Sequence, residues 1–385
     1  MEPIVFPSGV YELNPQPNIN FQLNRMVMWD GGDINDVKKV AEKITDNVSW
    51  KREILRLAEQ AENEGRIKEA IVYYRMSEFF MYDGDPDKIK YYRKAVDMFY
   101  SFYASYFDSG LVERHQIPFE DANIPVMVTK AQTEHKSSIL LHGGNDSYYE
   151  ELFFAMLYFA QQGYDVYLFE GPGQGGMLRE QHKCFDYRWE NPVKAVLDYF
   201  QLSDVTIIGA SLGGMLAPRA AAFDKRIRRV VGWSIFPNYL EISLGFLPKF
   251  LRKMVRLMLA LHLRTIINGI VRKRMRQDQT VHWGLSHGIH AYGVSDPYEA
   301  LKTMDRFQVL DIGHLLEQDI LVLGARQDHF IDWKLYPMEL DCFHNARSLT
   351  FRLLTNEQSA GNHCNMGNTK LVLDIMSDWI AQVSL

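Results

Sequence analysis

The apolar run Val205-Thr206-Ile207-Ile208 leads without a spacer into Gly209-Ala210-Ser211-Leu212-Gly213-Gly214, and then into a helical pattern over Leu212–Phe223. A chain passes from strand to helix in so few residues only through a strained turn, so small residues must flank the one at its apex. Similar units recur on either side. Apolar strands are expected at Ser138–His142, Tyr164–Phe169, Ile227–Trp233, Ile320–Gly324 and Ser348–Leu354. Helical patterns fall between or after them at Tyr149–Gln162, Pro192–Phe200 and Met366–Val383. Strands alternating with helices of this length imply an α/β fold: a mostly parallel sheet with helices on both faces.

Two regions stand outside the alternation. Residues 1–111 form an N-terminal helical region, in which 34–109 read as helical from the spacing of Trp50, Ile54, Leu57, Ala61, Ala70, Ile71 and Tyr74. Gly65 divides two runs, Asp83-Gly84-Asp85-Pro86 ends the second, and a third helix runs from about Lys88 to Tyr106. The core then spans 112–236 and 311–385, opening with short strands at Ile117–Phe119 and Ile124–Val128. Residues 237–310 interrupt it as a helical insertion. Between Ile242 and Gln277 this insertion holds nine Lys and Arg and no Asp or Glu. Such a segment is either a basic amphipathic surface for an anionic membrane or acidic ligand, or a lid with solvated cations and an apolar face over a pocket. The lid is the expectation, because an insertion after a late strand is well tolerated, and it turns Leu257 and Leu261 toward Ser211.

The turn at Ser211 has the Gly-x-Ser-x-Gly pattern of a nucleophile elbow, which would expose Oγ and aim the Leu212 amide at a developing oxyanion. A second amide should come from the loop after an earlier strand, His142-Gly143-Gly144-Asn145-Asp146. Gly144 or Asn145 would supply it, with Asn145 preferred, and His142 would hold the loop. An acid is expected after Ile320–Gly324, where Asp328 stands, with Asp332 as the alternative and His329 as a structural neighbour. His363 follows the last strand in Ser359-Ala360-Gly361-Asn362-His363 and completes the order Ser, Asp, His. Its rival His344 precedes that strand, in a helix expected over Leu335–His344.

Taken together, Gly143-Gly144-Asn145-Asp146 with Glu150-Glu151, Glu170-Gly171-Pro172-Gly173-Gln174-Gly175, Gly209–Gly214, Asp328-His329 and His363-Cys364 resemble the α/β-hydrolases related to 2,6-dihydroxypseudooxynicotine hydrolase and the FrsA-like esterases. The likeness covers about Ile117 to the C-terminus, and the preceding helices are similar in placement to that group's N-terminal cap. Glu170 departs from the Asp common there but keeps a carboxylate. The resemblance implies an α/β-hydrolase fold with a helical cap and an inserted lid. It also implies cleavage of a C–C bond next to a ketone, an ester or an amide by a Ser-His-Asp site without metal or cofactor. Glu241, the only carboxylate from Lys225 to Gln277, occupies the place of a glutamate that meets substrate from the cap side. The other reading of Glu241 is a cap or solvated residue of the first lid helix.

Composition removes several alternatives. With 47% hydrophobic residues the chain is not disordered, and Cys184, Cys342 and Cys364 are too few and too far apart for a disulfide scaffold or a cysteine zinc site. A formal charge of −6 and the lack of a recognised motif argue against nucleic acid. No run approaches the roughly 18 apolar residues of a membrane span, and Met1-Glu2-Pro3 does not begin a signal peptide, so a cytoplasmic protein is expected. The expected partner is a hydrophobic or aromatic small-molecule substrate, without membrane contact; a homodimer stays open. Acyl transfer or cyclisation in a biosynthetic pathway would use the same residues, and a non-catalytic binding or membrane-surface protein on this scaffold is the rival from another class.

Overall fold

Eight strands make one sheet in the computed structural model, which describes residues 4–29, 31–234, 236–245 and 247–384. They are β1 (Glu113–Phe119), β2 (Ala122–Thr129), β3 (Ser137–His142), β4 (Tyr164–Phe169), β5 (Val205–Ala210), β6 (Ile227–Trp233), β7 (Asp319–Ala325) and β8 (Ser348–Leu354). Their order is β1-β2-β4-β3-β5-β6-β7-β8. The β1–β2 hairpin and the β2–β4 pair are antiparallel, and every pair from β4 to β8 is parallel. Near-continuous apolar runs follow from this position: β5 and β7 are buried at every residue because helices cover both faces. Leu140, Ile207, Val230 and Val322 fill one face, and Ile139, Leu141, Ile208 and Val231 the other. The leader reading on Met1, Glu2 and Pro3 lies outside the described residues.

The chain enters through α1 (Pro17–Met28), α2 (Ile34–Ala41), α3 (Asn47–Asn63), α4 (Ile67–Ser77), α5 (Pro86–Phe102) and α6 (Ala104–Asp108). Core crossovers follow in α7 (Phe153–Gln161), α8 (Gly175–Arg179), α9 (Glu190–Tyr199) and α10 (Gly213–Phe223). Between β6 and β7 lie α11 (Tyr239–Ser243), α12 (Lys249–Ala260), α13 (Arg264–Gln277), α14 (Gln279–Ala291) and α15 (Pro297–Met304). Helices α16 (Tyr336–Cys342) and α17 (Thr369–Val383) close the fold. Among the described residues no helix is long and apolar enough to cross a membrane.

Four expectations about elements are corrected. The helix expected from Lys88 to Tyr106 breaks at Tyr103, which leaves helical geometry at φ −96°, ψ 19°. The helix expected from Tyr149 begins as a 3₁₀ turn, Tyr149–Leu152. His344 lies beyond α16, on an exposed turn. The last helix starts at Thr369, not Met366, because Cys364, Asn365 and Gly367 have φ of 50°, 52° and 113° and Asn368 caps it through Leu371 N–H.

Helix α1 was not foreseen. It buries Gln22, Asn24 and Arg25 beside Ile19, Leu23, Met26 and Val27, so polar residues interrupt the apolar stripe by which a helix is recognised. Its partners explain the burial. Arg25 Nη2 donates to both Glu151 carboxylate oxygens at 2.8 and 2.6 Å, Arg75 Nη1 reaches the same group at 2.7 Å, and Trp29 Nε1 donates to Glu151 O at 2.9 Å. The Trp29 ring stacks on Trp233 at 5.4 Å, which fixes α1 against the end of β6. Glu151→Leu removes the carboxylate in contact with the buried Arg25 guanidinium and leaves it Asp146 at 3.6 Å, so we expect a loss of about 3 kcal/mol in urea-unfolding stability.

Candidate active site

At the end of β5 the backbone turns through Ser211 at φ 59°, a left-handed conformation that a serine adopts only under constraint. Ser211 N–H donates to Trp233 O at 2.9 Å and secures the turn to β6. A Cβ on Gly209 would stand 2.0 Å from Gly213 O and one on Gly213 2.4 Å from Gly143 O, so the first and last positions of the elbow admit only glycine at this separation. A Cβ on Gly144 would lie 2.8 Å from both Ser211 Cβ and Leu212 N, which measures how closely the β3 loop approaches the elbow.

Ser211 Oγ lies 2.8 Å from His363 Nε2, and His363 Nδ1 lies 2.7 Å from Asp328 Oδ2. The other Asp328 oxygen accepts from Phe330 N–H and Ile331 N–H at 2.8 and 3.0 Å. Burial alone would raise the Asp328 pKa, but His363 and these donors hold the carboxyl below its ordinary range. Burial would depress His363, yet the adjacent carboxylate takes it well above 6.5. Residues that sequence reasoning passed over aim the histidine. Asn365 Nδ2 donates to Ala360 O and Gly324 O at 2.8 and 3.2 Å, its Oδ1 accepts from Trp233 Nε1 at 3.1 Å, and Ser234 Oγ accepts from Cys364 N–H at 2.8 Å. Their only sequence signal is a polar residue flanking His363 or β6.

The two candidate donors in the β3 loop are distinguished by their partners. Gly144 N–H donates to Ser147 Oγ at 3.1 Å, whereas among the described residues no acceptor engages the amides of Asn145 or Leu212. Gln174, buried in the turn after β4, donates through Nε2 to Gly143 O at 2.8 Å and Gly144 O at 3.0 Å. A trans peptide directs N–H opposite to C=O, so pinning the Gly144 carbonyl sets the direction of the Asn145 amide. On the outer side His287 Nε2 lies 3.3 Å from Asn145 O and Tyr292 OH 3.5 Å from Asn145 Oδ1, both from the insertion.

A cavity of about 1360 Å³ opens on Ser211. Phe21 of α1, Phe236, Tyr239, Met258, Trp283 and Phe330 supply apolar wall, and the Phe21 ring lies 5.9 Å from the His363 ring. Glu241 also lines it, but its carboxylate is held by Arg256 Nε at 2.5 Å, with Arg252 at 4.0 Å, and touches none of Ser211, His363 and Asp328. Leu257 and Leu261 do not face Ser211: both are on the solvent side of α12, and Val255 and Met258 take the inner side. The spacing of α12 offers two apolar faces, and the expectation selected the wrong one. Asp332 is exposed and accepts from Lys334 N–H at 3.1 Å at the start of a 3₁₀ turn, His344 is exposed, and His329 packs against Phe21 and Phe330. Among the described residues no three His, Cys, Asp or Glu converge as a metal site.

His142 lies beneath the loop, fully buried, with Nδ1 3.0 Å from Gly143 O, and burial lowers its pKa to about 4. His329 is lowered to about 4 by the same cause. Between their ordinary 6.5 and 4 the unfolded chain takes up protons that these two folded-state histidines refuse, so their contribution to stability falls as pH falls through this window. We expect the urea-unfolding midpoint of His142→Gln to rise relative to that of the wild type between pH 7 and pH 5, because the variant lacks this contribution.

The family model for the alpha/beta hydrolase fold matches residues 139–341, more than half of the chain. Hydrolase acrC of Aspergillus aculeatus is 28% identical over 289 residues, spanning 66% of this chain and 65% of that protein. Hydrolyase poxO of Penicillium oxalicum is 27% identical over 369 residues, spanning 81% of this chain and 84% of its own. The crystal structure of 2,6-dihydroxy-pseudo-oxynicotine hydrolase shares the fold at a TM-score of 0.66 and 20% identity, covering 94% of this chain and 95% of that one. The chain belongs to the alpha/beta hydrolase fold family and is an enzyme of the hydrolase class.

Proposed function

We propose that this enzyme is a serine hydrolase that cleaves a carbonyl-adjacent bond, C–C next to a ketone, ester or amide, in a hydrophobic or aromatic small molecule. Ser211 Oγ attacks the carbonyl carbon while His363 Nε2 takes its proton, and Asp328 receives the Nδ1 hydrogen bond and stabilises the imidazolium. The amides of Leu212 and Asn145 hold the oxyanion, the Gly144 amide being engaged by Ser147. His363 then protonates the leaving group, and water attacks the acyl-enzyme with the same histidine as base. The unbroken hydrogen-bonded chain from Ser211 Oγ through His363 to Asp328 supports these roles. The largely apolar cavity supports the substrate class, since such pockets bind by apolar contact with a few polar anchors. Glu241, held on the wall by Arg256, is the anchor we assign to a polar group of the substrate.

Ser211→Ala and His363→Ala should each lower kcat for an acyl ester on the order of 10⁶-fold, because the two act as one unit, while His344→Ala changes little. Retention of a tenth of the activity in Ser211→Ala would refute the assignment. His363 acts as a base only when neutral, and its pKa stands above 6.5, so kcat/KM should decline on acidification from above that pH. Asp328→Asn should move this limb downward and cost on the order of 10⁴-fold in kcat. Met258→Trp, on the cavity wall, should raise KM severalfold for bulky esters and less for small ones.

A further inference from the structure

Helix α12 turns one face to the cavity, through Arg252, Val255 and Met258, and another to solvent. The solvent face carries Phe250, Met254, Leu257 and Leu261 at 68, 44, 58 and 58% exposure. Their spacing of four, three and four residues aligns them in one stripe along the helix and its C-terminal turn. Lys249 and Lys253, both exposed, flank it. Helix α13 adds Ile266, exposed and outside the cavity lining, with Arg272, Lys273 and Arg276 also exposed.

The nine cations of this segment divide in two. Arg256 pairs with Glu241 and Asp305, Arg264 with Asp296 and Glu299, and Arg274 with Asp278, while Arg252 donates to Gly245 O and Leu247 O. Lys249, Lys253, Arg272, Lys273 and Arg276 have no carboxylate within ion-pair distance among the described residues. Intramolecular pairing thus accounts for some of the charge and leaves the rest on the surface that also exposes the apolar side chains, in a chain whose net charge is −6.

We infer that the outer face of α12–α13 docks on an anionic lipid bilayer. Apolar side chains along one side of a helix with lysines beside them match the boundary between acyl chains and phosphate headgroups. A protein partner fits less well, because the polar groups on the outer face of α12 are lysines, a residue depleted in protein interfaces. A second copy in a two-fold contact would set the unpaired cations against themselves. The cavity wall is the opposite side of the same helix, so docking brings a bilayer-dissolved hydrophobic compound within one helix diameter of the pocket. Binding needs no turnover, and the inference stands or falls apart from the roles of Ser211 and His363.

The test is sedimentation of the full chain with vesicles of equimolar phosphatidylserine and phosphatidylcholine, or of phosphatidylcholine alone, at physiological ionic strength. The wild type should sediment with the mixed vesicles and not with the neutral ones, and binding should weaken as salt rises. Lys249→Gln and Lys253→Gln should each lower partitioning about fivefold, and Leu257→Asp and Leu261→Asp tenfold or more. None of these residues lines the cavity, so unfolding midpoints and turnover of a soluble ester should stay at wild-type levels and certify the fold. No sedimentation of the wild type, equal binding to both vesicle types, or variants that bind like wild type would overturn the inference. So would a dimer in equilibrium sedimentation that Leu257→Asp dissociates without any vesicle binding.

Discussion

Close backbone contact around Ser211 is the constraint on which the rest of the structure depends. The serine holds a positive φ at the end of a buried strand, and Gly209, Gly213 and Gly144 let three backbone segments meet where a single added Cβ would collide. That approach sets the Gly144-Asn145 segment against the elbow at Leu212 and leaves Asn145, Ser211 and Leu212 lining the cavity. Gln174 then couples the turn after β4 to the loop after β3, and Asn365 couples the histidine loop to β6 and β7. The sheet acts as a rigid rack: its parallel strands deliver the loops carrying Asn145, Ser211, Asp328 and His363 to the same end.

Much of this was legible in the chain because the signals were local. A strand buried on both faces must be apolar throughout, so β3, β5 and β7 announced themselves within a residue or two of their ends. The elbow showed because its steric requirement selects glycine at fixed offsets, and chain order then nominated Asp328 and His363 over Asp332 and His344. The same order nominated the loop after β3, while the contact that engages the Gly144 amide is local, the Ser147 hydroxyl three residues on, and was not weighed in the sequence reading.

What escaped sequence reasoning involved long-range pairing. Helix α1 is stabilised by Arg25 and Trp29 meeting Glu151 and Trp233, residues more than 120 positions away, and its buried polar side chains hide its amphipathic period. As a result one wall of the cavity, Phe21 beside His363, was absent from the expected site. The orientation of α12 escaped for a different reason: a helix with apolar residues on two sides has no preferred face until its neighbours are known, and here the cavity takes Val255 and Met258 while Leu257 and Leu261 turn outward. Carboxylates from outside the basic segment, such as Asp296 and Asp305, neutralise part of a charge that had looked unpaired in sequence.

Ser211, polarised by His363 and Asp328, is the attacking group in the reaction we propose. Peptide mapping by mass spectrometry after reaction of the full chain with a fluorophosphonate tests it most directly, because the reagent forms a stable bond with a serine only where a base removes its proton and donors receive the oxyanion. A single phosphonyl adduct on Ser211 is expected, formed more slowly as pH falls and absent from His363→Ala. An unmodified Ser211, or an adduct on another residue, would contradict it.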